Sequence, residues 1–312
     1  MNTKEKYEEF LEKLKSGNVY THGGVFHADD VFSAALINKV CDHENIPRPN
    51  VNRIFSQDQA KELETNNIVF DIGLGEYDHH QVDNEVRENG VPYASFGKLW
   101  KTVGAELVGE KSMENIDCSF VQAIDNADNG VEPNMLSHVI GGLNPTWDSG
   151  NMPDEAFAKA VEFASIALKS TIENELSKTR VESIIKSALD KMQDNILVLD
   201  RFYPWMDYVQ NNAPEVNFVV FESIRGGYNI QTVPNLGEKQ GKILFPEEWL
   251  GSTNEETGMT FCHPNNFLAS FKTKEQAIQA GLEATAIHLK SHTTELDEEL
   301  QALTTLQQQT VL

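Results

Sequence analysis

The chain has 312 residues, 40% of them hydrophobic, and carries 48 Asp and Glu against 25 Lys and Arg, for a net charge of −23. That length predicts two domains with separate cores, and that charge disfavours non-specific binding to long duplex DNA or to an acidic membrane, leaving a short anionic partner met by a local positive centre. The three cysteines, at 41, 118 and 262, form neither a disulfide framework nor a paired-cysteine metal site and suit a reducing compartment.

The opening segment MNTKEKYEEFLEKLKSG is a charged amphipathic helix without the apolar stretch of a signal peptide. No later run approaches the ~18 apolar residues of a membrane span, so a cytoplasmic protein is expected. The helix is read as a packing or oligomer element, which leaves a homodimer open. Gly17 ends it, and NVYTHGG follows as a short strand running into a loop. In ADDVFSAALINKVC, the apolar residues Val31, Phe32, Ala35, Leu36 and Val40 have the spacing of a helix packed on one face. NRIFS reads as a second strand, QDQAKELETN as a polar helix or loop, and NIVFDIG as a third strand.

Strand, helix, strand, helix, strand predicts an α/β domain with a parallel sheet. In such sheets ligands bind beyond the carboxyl ends of the strands. His22 and His27 follow the first strand, Asp71 ends the third, and the loop holding Asp78, His79 and His80 lies just past it. All of them are expected on one edge of the sheet.

ASFGKLWKTVGAELVG and DCSFVQAIDNADNGV read as further helices, the second ending in an Asp-rich loop stopped by Gly130. GGLNPTWDSGNMPD is a Gly/Pro/Asn-rich joint and sets the end of the first domain, 1–150. A long helix from Pro153 to about Met192 makes 151–192 a linker. NILVLD, VNFVVFES and GYNIQTVP as strands, with a terminal helix beginning at TKEQA, make 193–312 a smaller α+β domain. The final QQQTVL is expected to fray.

Four of the nine histidines, His22, His27, His79 and His80, occupy two loops, each beside aspartates. Neutral imidazoles and ionised carboxylates converge where divalent cations offset the repulsion between the carboxylates. Mixed His/Asp ligation suits Mn2+, Zn2+ or Fe2+ better than Ca2+, and the lack of cysteine argues against structural zinc. A strand-ending aspartate such as Asp71 can bridge two metals, and a metal pair would activate a hydroxide and hold a phosphoryl group for in-line attack. The plainer readings are a helix cap at HADD, through Asp29 or Asp30, and a solvated turn at YDHHQ.

THGGVFHADD, VFDIG, YDHHQ and AIDNADNG, in that order, resemble the four motifs of the DHH phosphoesterase superfamily. The resemblance is closest to its MYG-type (melanocyte proliferating gene) branch, which shares the THxGxFHxD opening, YDHHQ, the DNG loop and LNPxW. VPN, FPEEWLG and FCHPNNFLASFKTKEQA extend it over nearly the whole chain. The resemblance implies a parallel-sheet N-terminal domain holding two Mn2+ ions, with Mg2+, Zn2+ or Fe2+ as alternatives, and a smaller C-terminal domain closing over the substrate.

It further implies that His22, His27 and Asp29 are first-motif ligands, that Asp71 bridges the metals, that His79 is a ligand, and that His80 donates to the substrate phosphate. Asp71 and His80 are then the catalytic pair. Asp125 and Asp128 both fit the fourth motif, with Asp125 favoured. Asp30 is assigned to capping the helix, and Asp78 to orienting His79. His263, Ser95 and Lys98 are candidates to contact the substrate phosphate, against plainer readings as a loop histidine, a helix cap and an exposed lysine. Trp147 is expected to pack in the core or joint.

Members of the superfamily include single-strand exonucleases, oligoribonucleases, cyclic-dinucleotide phosphodiesterases and pyrophosphatases, and MYG-type members are regarded as 3′-5′ RNA exonucleases. The expected activity is therefore metal-dependent hydrolysis of short single-stranded RNA or oligonucleotides to nucleoside monophosphates. The alternatives are a phosphatase or pyrophosphatase for a small phosphorylated metabolite, and a metal-binding scaffold without turnover.

Overall fold

The computed structural model describes residues 2–150 and 152–309. The chain divides into two compact units, Met1–Leu176 and Ser177–Leu312.

The first unit begins with α1 (Thr3–Ser16), started by a capping box in which the Asn2 side chain accepts from the Glu5 amide and Glu5 accepts from the Asn2 amide, each at 2.9 Å. Tyr7, Phe10 and Leu14 form its buried stripe, so α1 is a packing element of this core. Gly17 ends it where a Cβ would fall 2.2 Å from the Asn66 carbonyl oxygen. β1 (Val19–His22), β2 (Val51–Ile54) and β3 (Ile68–Val69) form a wholly parallel sheet in the order β2-β1-β3, with α2 (Ala28–Glu44) and α3 (Gln57–Leu63) as the crossovers. This is the α/β grammar expected from the sequence.

Two details differ from expectation. α2 is not buried on one face only: residues 28–37 are all buried, because α4 (Ser95–Val108), α6 (Gln122–Asp128) and α7 (Met135–Gly141) also pack against it. β3 is only two residues long because the chain turns at Asp71, whose φ of 56° takes it out of extended geometry and whose amide donates to the Tyr77 carbonyl at 3.1 Å. Between α4 and α6 run α5 (Glu110–Ile116) and a π-helical segment, Asp117–Val121. Phe26, Phe32, Phe96 and Trp100 are fully buried in this core, each stabilising it by about 1.5–3 kcal/mol relative to exposure.

α8 (Pro153–Leu189) divides its apolar stripe between two cores. Phe157, Ala160, Ala164, Leu168 and Ile172 belong to the first, and Val181 and Ile185 to a cluster of the second.

The second unit is α+β, with β4 (Ile196–Leu199), α9 (Met206–Asn212), β5 (Phe218–Glu222), β6 (Tyr228–Thr232), β7 (Met259–Cys262), β8 (Leu268–Phe271) and α10 (Lys274–Gln309). The sheet order is β4-β5-β6-β8-β7, parallel only between β4 and β5. α10 covers one face through Ala277, Ala280 and Ala284. The end of α8 and α9 cover Leu197, Leu199, Val219 and Phe221 on the other. α10 runs through residues 307–309 of the segment expected to fray, while 310–312 lie outside the described residues. No helix among the described residues is long and apolar enough to cross a membrane.

Candidate metal centre

The carboxyl end of the parallel sheet gathers the histidines and aspartates. β1 delivers His22, paired with Ile54, and the ladder runs one residue further because the Gly23 amide donates to the Ile54 carbonyl at 2.6 Å. The His22 Nδ1 lies 3.2 Å from the Gly23 carbonyl. A proton on Nδ1 donated there leaves the Nε2 lone pair facing inward. The loop from Gly23 to His27 is held from outside the motif. Arg53 donates to the carbonyls of His22 and Gly24 at 3.2 and 2.8 Å, and its guanidinium lies 4.7 Å from the Phe157 ring centroid. Asn144 accepts from the Phe26 amide and donates to the Phe26 carbonyl.

α2 then begins with Asp29 and Asp30 in its first turn, both fully buried. Asp30 caps the helix as expected, its Oδ1 accepting from the His27 amide at 2.9 Å. Its Oδ2 also lies 3.1 Å from His22 Nε2, so it joins the cluster as well.

Asp71 is central. Its left-handed φ sends the carboxylate inward from the end of β3, a conformation tolerated by a short polar side chain and typical of strained functional positions. Asp71 Oδ2 lies 3.2 Å from His22 Nε2, and Oδ1 lies 3.3 Å from His79 Nδ1. Ser95 donates to Asp71 Oδ1 at 3.1 Å and sits 3.4 Å from His79 Nδ1. Ser95 is fully buried against these two groups, and Ala94 takes the helix-cap position.

Asp78 orients the ring of His80, at 2.6 Å from Nδ1, where the sequence reading assigned it to His79. It also accepts from the amides of Leu74, His79 and His80, which pins the loop. The His80 ring stacks on His79 with centroids 4.2 Å apart and stays 55% exposed.

α6 carries both fourth-motif candidates, and the structure separates them. Asp128 enters the cluster, 2.9 Å from His79 Nε2 and 3.9 Å from His27 Nδ1. Asp125, favoured from the sequence, stands outside it: it accepts from Arg87 at 2.8 Å and from the Gly97 amide at 3.1 Å. Arg87 is the reason, a buried cation that also forks onto Asp117 at 2.9 and 2.7 Å and stacks 3.8 Å from the Tyr93 ring centroid. Burial pushes the Asp125 carboxyl up, against the pull of Arg87, to about 7.

The remaining candidates are not among the clustered ligands. Lys98 lines a cavity of about 300 Å3 with Thr3, Glu76 and Glu85, and its burial there lowers its ammonium pKa. His263 is in the second unit, at the β7–β8 turn, where it accepts from the Asn265 amide at 3.0 Å. Trp147 is 97% exposed and packs in no core, contrary to expectation. Asn144, three residues earlier, makes the tie to the first motif in its place. Asn144, Arg53 and Arg87 escaped the sequence reading; only LNPxW, already noted as a motif, pointed to one of them.

The electrostatics are those of a cation site. Burial pulls the His22 imidazole down, but the Asp30 and Asp71 carboxylates outweigh it and hold it up at about 10. His79 is held likewise at about 9 by Asp128 and Asp71 against its burial. Burial opposes ionisation of Asp71, yet the His22 and His79 imidazoles paired with it at 3.2 and 3.3 Å keep it well below the usual carboxylate range. Burial first, then Asp71, Asp128 and Asp30, drive Asp29 well above that range.

Neither oxygen of the fully buried Asp29 has a hydrogen-bond partner, whereas His22 Nε2 and Asp30 Oδ2 meet each other at 3.1 Å and Nε2 meets Asp71 Oδ2 at 3.2 Å. Such orphaned buried groups are costly unless a cation satisfies them. Three overlapping sets place ligand atoms within 4.8 Å of one another: Asp71, Asp78, His79 and His80; His22, His27 and Asp71; and His27, Asp29 and Asp128. Asp71 and His27 each belong to two sets, and the mixed N/O donors fit first-row divalent ions.

The MYG1_exonuc family model, described as an uncharacterised protein family (UPF0160), matches residues 18–284. The chain is 24% identical over 314 residues to a MYG1 protein of Dictyostelium discoideum, covering 83% of this chain and 94% of that one. It is 25% identical over 290 residues to a MYG1 protein of Chlamydia pneumoniae, covering 84% and 94%. Among solved structures, RecJ in complex with Mn2+ from Thermus thermophilus aligns at 13% identity with a TM-score of 0.27, over 91% of this chain and 55% of RecJ, so the chain spans about half of RecJ's length. The family match covers most of the sequence, both sheets included, and agrees with the resemblance carried by THGGVFHADD, YDHHQ and LNPTW: this chain belongs to the MYG1_exonuc family.

Proposed function

We propose that this protein is a metal-dependent phosphodiester hydrolase acting on short single-stranded RNA or oligonucleotides, releasing nucleoside monophosphates. The observation that carries the reading is Asp29, fully buried with both oxygens unbonded and set between Asp71 and Asp128 at the carboxyl end of a parallel sheet. The family's name and the motif resemblance support a nuclease over other hydrolases.

His22, His27, Asp29, Asp71, His79 and Asp128 are the residues that would hold two divalent cations, Mn2+ by preference. Such ions supply Lewis acidity at a phosphoryl oxygen and a water of lowered pKa. The chain's own contribution is orientation and proton delivery. Ser95 steadies Asp71, and Asp78 accepts the Nδ1 proton of His80. Asp78 also raises the His80 pKa, and the Nε2–H of the resulting imidazolium is the donor that faces a substrate oxygen from the exposed side of the cluster. The net charge of −23 favours short substrates, since a long polyanion would be repelled along its length.

The test is release of mononucleotides from a 5′-labelled ladder of short RNAs with Mn2+, beside Asp71→Ala. Shortening that vanishes in the variant is expected. Intact RNA with hydrolysis of p-nitrophenyl phosphate or pyrophosphate would move the assignment to a phosphatase. Metal uptake with no turnover of any of these would leave a scaffold.

A further inference from the structure

The face of the second unit's sheet opposite α10 is only partly covered. α8 and α9 close it over β4 and β5, while β6, β8 and β7 border a groove of about 640 Å3. Asn229, Ser270 and Phe261 form one transverse row across those three strands, since Asn229 pairs with Ser270 and Ser270 with Phe261. Their side chains therefore project from the same face. Ser270 Oγ donates to Asn229 Oδ1 at 2.7 Å, which fixes the amide and leaves its NH2 donors for a ligand of the groove that Asn229 lines. Phe261 is 42% exposed at the edge strand.

Cations close one end. Lys272 is two residues beyond Ser270, on the same face, and Arg225 stands in the β5–β6 hairpin loop. The loop is drawn onto the end of β8 by Gly227, whose φ is 71° and where a Cβ would fall 2.2 Å from the Phe271 carbonyl oxygen. Only glycine permits that approach. Among the described residues Arg225 and Lys272 have no ion-pair partner, and none of those lining the groove is acidic. In a chain of net charge −23, two unpaired cations and no carboxylate around one cavity is a local inversion of sign.

We propose that this groove binds a single-stranded oligonucleotide, with Arg225 and Lys272 on the phosphodiester backbone, Phe261 under a base and the Asn229 amide on a base edge or phosphate. Backbone cations beside an exposed aromatic on an open sheet are the physical requirements of sequence-tolerant single-strand binding. The proposal deepens the hydrolase reading and rests on it for the choice of an oligonucleotide.

The test is fluorescence anisotropy of a labelled eight-nucleotide RNA on the full chain in EDTA, which withholds divalent ions and so stops turnover. Arg225→Ala with Lys272→Ala should weaken binding at least about tenfold and flatten the dependence of log affinity on log salt by about 1.4, roughly 0.7 for each single-strand phosphate that no longer meets a cation. Phe261→Ala should weaken binding several-fold at an unchanged salt slope. Lys186→Ala with Lys239→Ala changes the net charge equally away from the groove and should bind as the parent does.

The melting temperature should be unchanged in the groove variants, which would separate lost binding from lost folding. Affinity unmoved by the double substitution, an equal loss in the Lys186/Lys239 control, or a mononucleotide competing as well as the eight-mer would overturn the proposal. Failure of the parent to hydrolyse either bis(p-nitrophenyl) phosphate or RNA with Mn2+ would remove the hydrolase reading, while anisotropy would still judge the groove.

Discussion

The Asn144 side chain pairs with the Phe26 backbone across 118 residues of sequence, accepting its amide proton at 3.0 Å and donating to its carbonyl at 2.8 Å. It does for the loop between His22 and His27 what a neighbouring strand does for a ladder. Asn144→Ala should cost about 1–3 kcal/mol for the two bonds and, by loosening both histidines, weaken Mn2+ binding by about tenfold, within the range for partners that orient metal ligands. Calorimetric titration with Mn2+ checks this, and an unchanged affinity would mean that Arg53 alone fixes the loop.

Arg87 is the single buried cation shared by Asp117 and Asp125. Arg87→Met keeps much of the apolar contact with Tyr93 but strands two carboxylates, one of them fully buried. Breaking such a pair from one side costs about 3–5 kcal/mol, read as a lower urea midpoint. Adding Asp125→Asn should recover part of the loss, because the remaining group no longer carries charge. Additive losses in the double variant would mean that Arg87 acts through packing.

In protein stripped of divalent ions, stability should fall as pH rises. His22 is held up at about 10 and His79 at about 9 in the folded chain, against ~6.5 in the unfolded chain. A raised folded-state value contributes stability fully below pH ~6.5 and loses it as pH climbs through the folded values, with a slope approaching about 1.4 kcal/mol per pH unit for each group. Chelator-treated protein should therefore melt progressively lower from about pH 7 to 9.5. Protein with saturating Mn2+ should not, since the ion displaces the same protons. A flat metal-free profile would show that both imidazoles are already neutral in the fold.

Much of the site was legible because its residues follow strand ends, where a parallel sheet must bring them together: His22, His27, Asp71, Asp78, His79 and His80 could be placed on one sheet edge from order alone, while Asp29 was a ligand only through the family resemblance. The second unit was read less completely. β7 and β8 are four residues each, too short for period-two alternation to stand out around the HPNN turn. Trp147 was misread because a large aromatic near a joint is usually buried, whereas here the polar Asn144 holds the joint and the ring stays in solvent. β3 was read too long because VFDIG looks extended until the backbone turns at Asp71. Where the deciding partner is remote in sequence, as Phe26 is for Asn144, local pattern does not encode it.

Asp125 and Asp128 are the sharpest instance and the most direct test. Three residues apart on α6, they point to different neighbours, Asp125 to Arg87 and Gly97, Asp128 to His79 and Asp29. No feature of AIDNADNG ranks them; the choice is made by Arg87, 38 residues before Asp125. Asp128→Asn should keep the fold, leave the Arg87 network intact and weaken Mn2+ binding by more than about 100-fold, beyond the ~10–100-fold range for the loss of a supporting group alone. Asp125→Asn should do the reverse, lowering the urea midpoint as Arg87 loses an ionised partner while leaving the Mn2+ titration of the folded protein close to the parent's. Both variants are isosteric, so any difference reports charge and ligation and not packing. Should Asp125→Asn abolish Mn2+ uptake in protein that melts like the parent, Asp125 would be the ligand and the Arg87 pair a feature that metal binding rearranges.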